Sequence, residues 1–144
     1  MFSKACEYGI RATVFIAKSE TEGKNPSLKE IAKDIDSPEA FTSKILQKLV
    51  HHKVIRSIRG PKGGFAMIPE KKNTLTLAEV VDAIDGDQVY SGCALGLQTC
   101  SEEKPCPLHH KFKGVRNRLS NLLNKTTIKK LAEDLNKGDY YLKI

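Results

Sequence analysis

Apolar positions recur at spacings of three and four from the start of the chain. Ala5, Tyr8, Ala12 and Phe15 mark one face of a helix over about Ser3 to Ser19, and Val14, Ile16 and Ala17 widen that face until the helix reads as largely buried. Glu20 to Pro26 is a polar turn around Gly23. Ser27-Leu28-Lys29-Glu30 has the form of a capping box, and Leu28, Ile31, Ala32 and Ile35 give the stripe of a short second helix. Asp36-Ser37-Pro38 ends it and starts a third, with Ser37 expected as N-cap and Pro38 at the first helical position. At about 100° per residue, Phe41, Thr42, Ile45, Leu46, Leu49 and Val50 fall on one half of that third helix. Ala40, Ser43, Lys44, Gln47 and Lys48 fall on the other. Two short capped helices joined by a tight turn predict a helix-turn-helix.

The period then changes. Val54-Ile55-Arg56-Ser57-Ile58 has strand character, Gly60-Pro61-Lys62-Gly63-Gly64 is a turn, and Phe65-Ala66-Met67-Ile68 returns as a second strand. A further helix lies between Thr74 and Gly86, with Thr76 and Glu79 as a capping box. From Ser91 to His110 the glycines and prolines break any regular reading, which predicts a loop. Beyond it Phe112, Val115, Leu119 and Leu122 repeat at three, four and three with Leu123 alongside, the narrow seam of a helix that pairs with another helix. A last helix, with Ile128, Leu131, Ala132 and Leu135, ends near Gly138.

The expected fold is therefore mainly α with a small two-stranded β wing: a winged helix-turn-helix followed by a long C-terminal dimerisation helix. Residues 1–72 would form the DNA-binding part, 73–91 a connecting helix, 92–110 the cysteine loop, and 111–144 the dimerisation helix and C-terminal helix. A chain of 144 residues accommodates these in one compact domain.

Charge sharpens this picture. The net charge of +7 is unevenly spread. Residues 40–69 contain no acid, while Lys44, Lys48, Lys53, Arg56, Arg59 and Lys62 are basic. A second acid-free run carries Lys111, Lys113, Arg116, Arg118, Lys125, Lys129 and Lys130. On the third helix, lysines suit phosphates, while the Gln47 amide and Ser43 hydroxyl suit base edges in a major groove. The hairpin tip presents Arg59 and Lys62 on Gly60 and Pro61, a backbone able to approach a phosphate or minor groove closely. Double-stranded DNA is the expected partner, contacted by Ala40, Ser43, Lys44, Gln47, Lys48, Arg56, Arg59, Gly60, Pro61 and Lys62. Reading two half-sites requires a two-fold axis, and Phe112, Val115, Leu119, Leu122 and Leu123 are the residues expected to build the homodimer. No apolar run is long enough for a membrane span and the N-terminus lacks the pattern of a signal peptide, so a cytoplasmic protein with no membrane partner is expected.

Three of the four cysteines fall in the loop, as Cys93-x6-Cys100-x5-Cys106, with His109 three positions on. In a reducing cytosol such clustering points to metal or redox chemistry before structural disulfides. Three readings compete: unliganded thiols, a Cys3His zinc site, and an iron-sulfur cluster. Zinc usually draws ligands in close pairs, which this loop lacks. A cluster is larger than one ion and tolerates longer spacing. Three cysteines would leave one iron site to a weaker ligand, with His109 and Glu7 the candidates, Glu7 only if the first helix of a partner subunit reaches the loop. Cys6, on a mostly buried helix, reads as a small apolar side chain. Nothing accompanies the cysteines that suits catalysis (no carboxylate-histidine base pair, nucleophile elbow or phosphate loop), so no enzyme is expected and a zinc enzyme is only the remote alternative.

Glu7-Tyr8-Gly9-Ile10-Arg11-Ala12 in the first helix, Arg59-Gly60-Pro61-Lys62-Gly63-Gly64-Phe65 in the wing, and the three cysteines ahead of a C-terminal helix together resemble the winged-helix iron-sulfur regulator family that includes IscR, NsrR, RirA and CymR. The resemblance spans nearly the whole chain. It implies a dimeric transcription regulator sensing redox, nitric oxide or iron-sulfur status. It implies Cys93, Cys100 and Cys106 as ligands of a 2Fe-2S or 4Fe-4S cluster, with an apo form also open. His109 stands where the IscR-like branch has its histidine ligand, and Glu7 where the NsrR-like branch takes a carboxylate from the partner. The alternative within the family uses the cysteines as redox thiols or zinc ligands. The chain departs from the pattern in a first cysteine gap one residue longer than in IscR, and in Thr42-Ser43, where a Leu-Glu pair is common.

Overall fold

A computed structural model describes residues 1–143; Ile144, the last residue of the expected C-terminal segment, lies outside them. In chain order the elements are α1 (Lys4–Thr21), α2 (Leu28–Asp34), α3 (Glu39–His51), β1 (Ile55–Ile58), β2 (Gly64–Met67), α4 (Leu77–Asp85), α5 (Gln88–Ser91), α6 (His109–Lys125) and α7 (Ile128–Asn136). The mainly α architecture with a two-stranded antiparallel wing is as expected.

α1 is the axle of the molecule, with α3, α4, α7 and β2 packed on it. Its buried residues, Ala12, Val14 and Ile16 among them, meet Ile31 and Ile35 from α2 and its cap, Ile45, Leu46 and Leu49 from α3, and Ile128 and Ala132 from α7. A smaller satellite core gathers Cys6, Ala78, Val81 and Leu123. Gly9 sits where α1 and α4 come closest: a Cβ there would run into the Ile84 side chain. α7 is fastened by backbone as well as by side chains. Leu77 N–H donates to the Thr126 carbonyl at 2.8 Å and Ile128 N–H to the Leu75 carbonyl at 2.9 Å, around a Thr76–Thr127 bridge.

The chain departs from expectation in four places. Pro38, not Ser37, is the N-cap of α3, because the Pro38 carbonyl accepts the first helical bond, from Thr42 N–H at 2.9 Å. Ser37 instead finishes the preceding turn, its N–H donating to Ala32 O, and its hydroxyl is buried without a partner. The connecting segment 73–91 holds two helices rather than one, the short α5 following α4 after Gly86 and ending at Ser91. α6 starts at His109, so His109 and His110 belong to the helix and not to the 92–110 loop. Leu123, expected in the exposed seam, is fully buried in the satellite core, and Leu119 packs beside it.

Candidate nucleic-acid interface and cysteine loop

Local chemistry positions the reading head. α2 opens on a complete capping box in which Glu30 N–H donates to Ser27 Oγ at 3.2 Å while the Glu30 carboxylate accepts from Ser27 N–H. Thr42 is buried and donates its hydroxyl to Pro38 O at 2.9 Å, closing the first turn of α3. Ile45, Leu46 and Leu49 are buried, which turns Ala40, Lys44, Gln47 and Lys48 to solvent with Ser43 half-buried beside them. Gln47 Nε2 lies 3.4 Å from Ser43 Oγ, so the two polar readers of the face form one patch. Phe41, 36% exposed, leans edge-on against Tyr8 of α1. Tyr8 also carries the Arg11 guanidinium 4.7 Å from its ring centroid.

The wing is an antiparallel pair with Ile55 opposite Met67 and Ile58 opposite Gly64. Arg59, Gly60, Pro61 and Lys62 form its exposed tip. Gly63 closes the turn through Gly63 N–H to Gly60 O at 2.9 Å, and a Cβ there would collide with the Ile58 carbonyl. The outer edge of β2 is not left open. Phe65 N–H donates to Pro26 O at 3.0 Å, and Met67 N–H to the Glu20 carboxylate at 3.1 Å. Arg56 Nε donates to the Met67 carbonyl at 3.2 Å, so this arginine braces the hairpin as well as facing outward. Among the described residues no acid pairs with Lys44, Lys48, Arg59 or Lys62. Beyond the exposed Glu39 in the first turn of α3, the face is thus acid-free and positive, with a buried apolar backing.

The cysteine loop is built differently. Between α5 and α6 there is no regular element, and Cys93, Cys100 and Cys106 are half-buried free thiols. Backbone N–H groups of Leu95 and Leu97 converge on the Cys93 sulfur and hold its pKa below the ordinary thiol value, with smaller contributions from the Cys106 side chain and from the Arg116 charge. Cys100 Sγ lies 3.3 Å from His109 Nδ1 and 3.1 Å from Arg116 Nη1. His109 is only 4% exposed, and its Nε2 is buried without a partner. Lys113 pairs with Glu102 across the gap between loop and α6.

In kind this donor set, three thiols and an imidazole, suits a soft metal or an iron-sulfur centre. In position it does not, as the loop stands. Among the described residues no three of His, Cys, Asp and Glu are gathered closely enough to hold one ion. The direct contact among these donors in the described residues is that of Cys100 with His109. Glu7 is away from the loop of its own chain, exposed and paired with Lys4 at 3.3 Å. His51, His52 and His110 are exposed.

Of the seam on α6, Phe112, Val115 and Leu122 are 40%, 58% and 55% exposed. Leu95 and Leu97 add two more exposed apolar side chains from the loop. Sequence reasoning missed Arg116, hidden among the evenly spaced cations of a basic helix. It also missed the C-terminal contact in which Lys143 Nζ reaches Lys33 O at 3.3 Å and Asp36 at 3.0 Å, on the turn between α2 and α3. No helix of the described residues is long and apolar enough to cross a membrane.

A family model described as Rrf2, iron-dependent transcriptional regulator, matches residues 2–134. A protein of Aquifex aeolicus (strain VF5), named for an HTH-type transcriptional regulator, is 29% identical over 133 residues, covering 91% of this chain and 90% of its own. The HTH-type transcriptional regulator IscR of Pectobacterium atrosepticum is 24% identical over 127 residues, 88% of this chain and 76% of its own. Among solved structures, CymR, titled the global cysteine regulator of B. subtilis, aligns with a TM-score of 0.74 at 21% identity, over 92% of this chain and 96% of its own.

Proposed function

The chain belongs to the Rrf2 family of winged-helix transcriptional regulators, a family of DNA-binding proteins rather than enzymes, and from that premise we propose that it is a homodimeric repressor governed by its cysteine loop. The observation that carries the DNA part is the exposed set Ala40, Lys44, Gln47 and Lys48 of α3, acid-free beyond Glu39 of its first turn, beside a wing tip whose Arg59 and Lys62 have no acidic partner among the described residues. Lys44 and Lys48 would neutralise phosphates, Gln47 and Ser43 would meet base edges, and Arg59 on its glycine turn would enter the adjacent groove. The exposed stripe of Phe112, Val115 and Leu122 would build the two-fold axis that sets the distance between two such heads.

Cys93, Cys100, Cys106 and His109 would supply the ligands of an iron-sulfur centre, which when bound brings redox and nitric-oxide chemistry to the loop. His109 and Arg116 belong to α6 and touch Cys100, so they join the loop to the proposed dimer helix. Purification under strictly anaerobic conditions, with visible absorption and iron and sulfide counts, tests this part: a colourless, iron-free protein that still binds its operator defeats the cluster reading. Salt dependence tests the DNA part. Lys48→Ala should weaken binding to all sequences alike and reduce the salt slope by about one unit.

One observation favours a second reading. Cys93, whose thiolate is favoured by the Leu95 and Leu97 N–H groups and which shares the loop with Cys106, is suited to reversible disulfide formation without any metal. A peroxide-treated, metal-free protein with a Cys93–Cys106 disulfide and altered DNA affinity would select it.

A further inference from the structure

The ligand chemistry of the loop and the way its donors stand disagree, and a single side chain accounts for the disagreement. Arg116 lies on the inner face of α6 and is half-buried. Its Nη1 donates to the Gly92 carbonyl at 2.6 Å and reaches Cys100 Sγ at 3.1 Å, so one guanidinium ties both the first residue of the loop and its middle cysteine to the helix. His109 Nδ1 meets the same sulfur at 3.3 Å, leaving that sulfur flanked on the α6 side by two nitrogen groups. Of the other basic residues along this stretch, Lys111, Arg118 and Lys125 are exposed, and Lys113, also exposed, pairs with Glu102 of the loop away from the cysteine sulfurs. Arg116 is the cation turned inward.

We propose that Arg116 is a positioning residue that latches the cysteine loop in its ligand-free form: it keeps Cys100 apart from Cys93 and Cys106, and a soft ligand that gathers the three thiols must displace it, which frees Gly92 from α6. The physical basis is direct. A guanidinium against the sulfur takes one of the directions from which that sulfur could be coordinated, and its charge opposes the arrival of a metal cation at the same atom. Releasing it gives up two contacts at once and leaves the exposed Lys113–Glu102 pair as the remaining ion pair between loop and α6. The orphaned Nε2 of His109, buried beside Cys100, gains nothing from the latched arrangement and is the group left to turn toward a newcomer. The latch rests on the reading of the loop as a ligand site, and the experiment separates the two.

The full-length, reduced, metal-free protein is titrated anaerobically with Co2+ alone, read by sulfur-to-cobalt absorption, and its backbone hydrogen exchange is followed over residues 92–106. The latch predicts that Arg116→Ala raises Co2+ affinity about tenfold, the scale on which groups next to metal ligands act. It also predicts exchange several-fold faster in the loop, with exchange in α1 and α3 unchanged. Arg116→Lys, which keeps the charge but reaches one acceptor instead of two, should fall between. Co2+ affinity that is unchanged or lower in Arg116→Ala overturns the latch, as does loop exchange that stays at the wild-type rate. Co2+ binding that survives Cys93→Ser, Cys100→Ser and Cys106→Ser alike overturns the ligand-site reading instead, and the exchange data then judge whether Arg116 holds the loop at all.

Discussion

The helix-turn-helix with its wing and the cysteine loop are held by opposite means. Several backbone groups of the head that could be left open are answered nearby: Ser27 and Glu30 cap each other, the Pro38 carbonyl accepts from Thr42 at the start of α3, and Pro26 and Glu20 take the outer N–H groups of β2. Beneath it Leu46 and Leu49 are completely buried. The loop has no buried apolar anchor; Leu95 and Leu97 are more than half exposed, and its shape depends on a few polar contacts from α6. The exposed face of α3 and the wing is held by many mutually supporting contacts, while the loop, held by few, is the segment freer to change shape.

The sharpest test of that contrast is Leu46→Ala against Leu95→Ala. The first should cost about 2–5 kcal/mol in denaturant unfolding and the second less than about 0.5 kcal/mol. Equal costs would mean the loop is part of the core. Arg59→Ala should leave unfolding unaltered and weaken operator binding by roughly 1–3 kcal/mol in a titration at fixed salt, because the tip contributes contacts rather than packing. Cys6 contrasts the buried thiol with those of the loop. Burial and the neighbouring Asp85 carboxylate push it up to about 12, so the folded state keeps its proton where the unfolded chain has lost it. Its contribution is therefore fully present below the ordinary thiol pKa and is lost as pH rises toward 12. The loss is at most about 1.4 kcal/mol per pH unit, and it should appear as a pH-dependent difference between wild type and Cys6→Ala in unfolding followed across that range, being absent from Cys6→Ala itself. Ser27→Ala, finally, should cost about 1 kcal/mol by opening the capping box, read as a lowered unfolding midpoint.

How much of this could be read in advance follows the same division. Capping boxes at Ser27 and Thr76, the two-sided pattern of α3 and the strand–turn–strand of the wing are local signals, and each led to the element found. Even there a one-residue matter escaped. Ser37 and Pro38 both suit a helix start, and only the Thr42–Pro38 bond decides between them. Leu123 was misplaced because a seam read along one helix cannot tell which edge faces its own chain; the satellite core around Cys6 claims it. The loop was legible only in its chemistry. Its donors are evident in the sequence, but their placement depends on Arg116 and on backbone N–H groups that have no periodic signature.

The Lys143 contact has a practical consequence. Because that side chain rests on the Asp36 carboxylate and the Lys33 carbonyl, the segment after α7 is moored to the turn between α2 and α3. A fluorophore placed on the exposed Tyr141 would sit within a few residues of that mooring, and its anisotropy would serve as an optical gauge of operator engagement, with no label anywhere on the surface that meets the duplex.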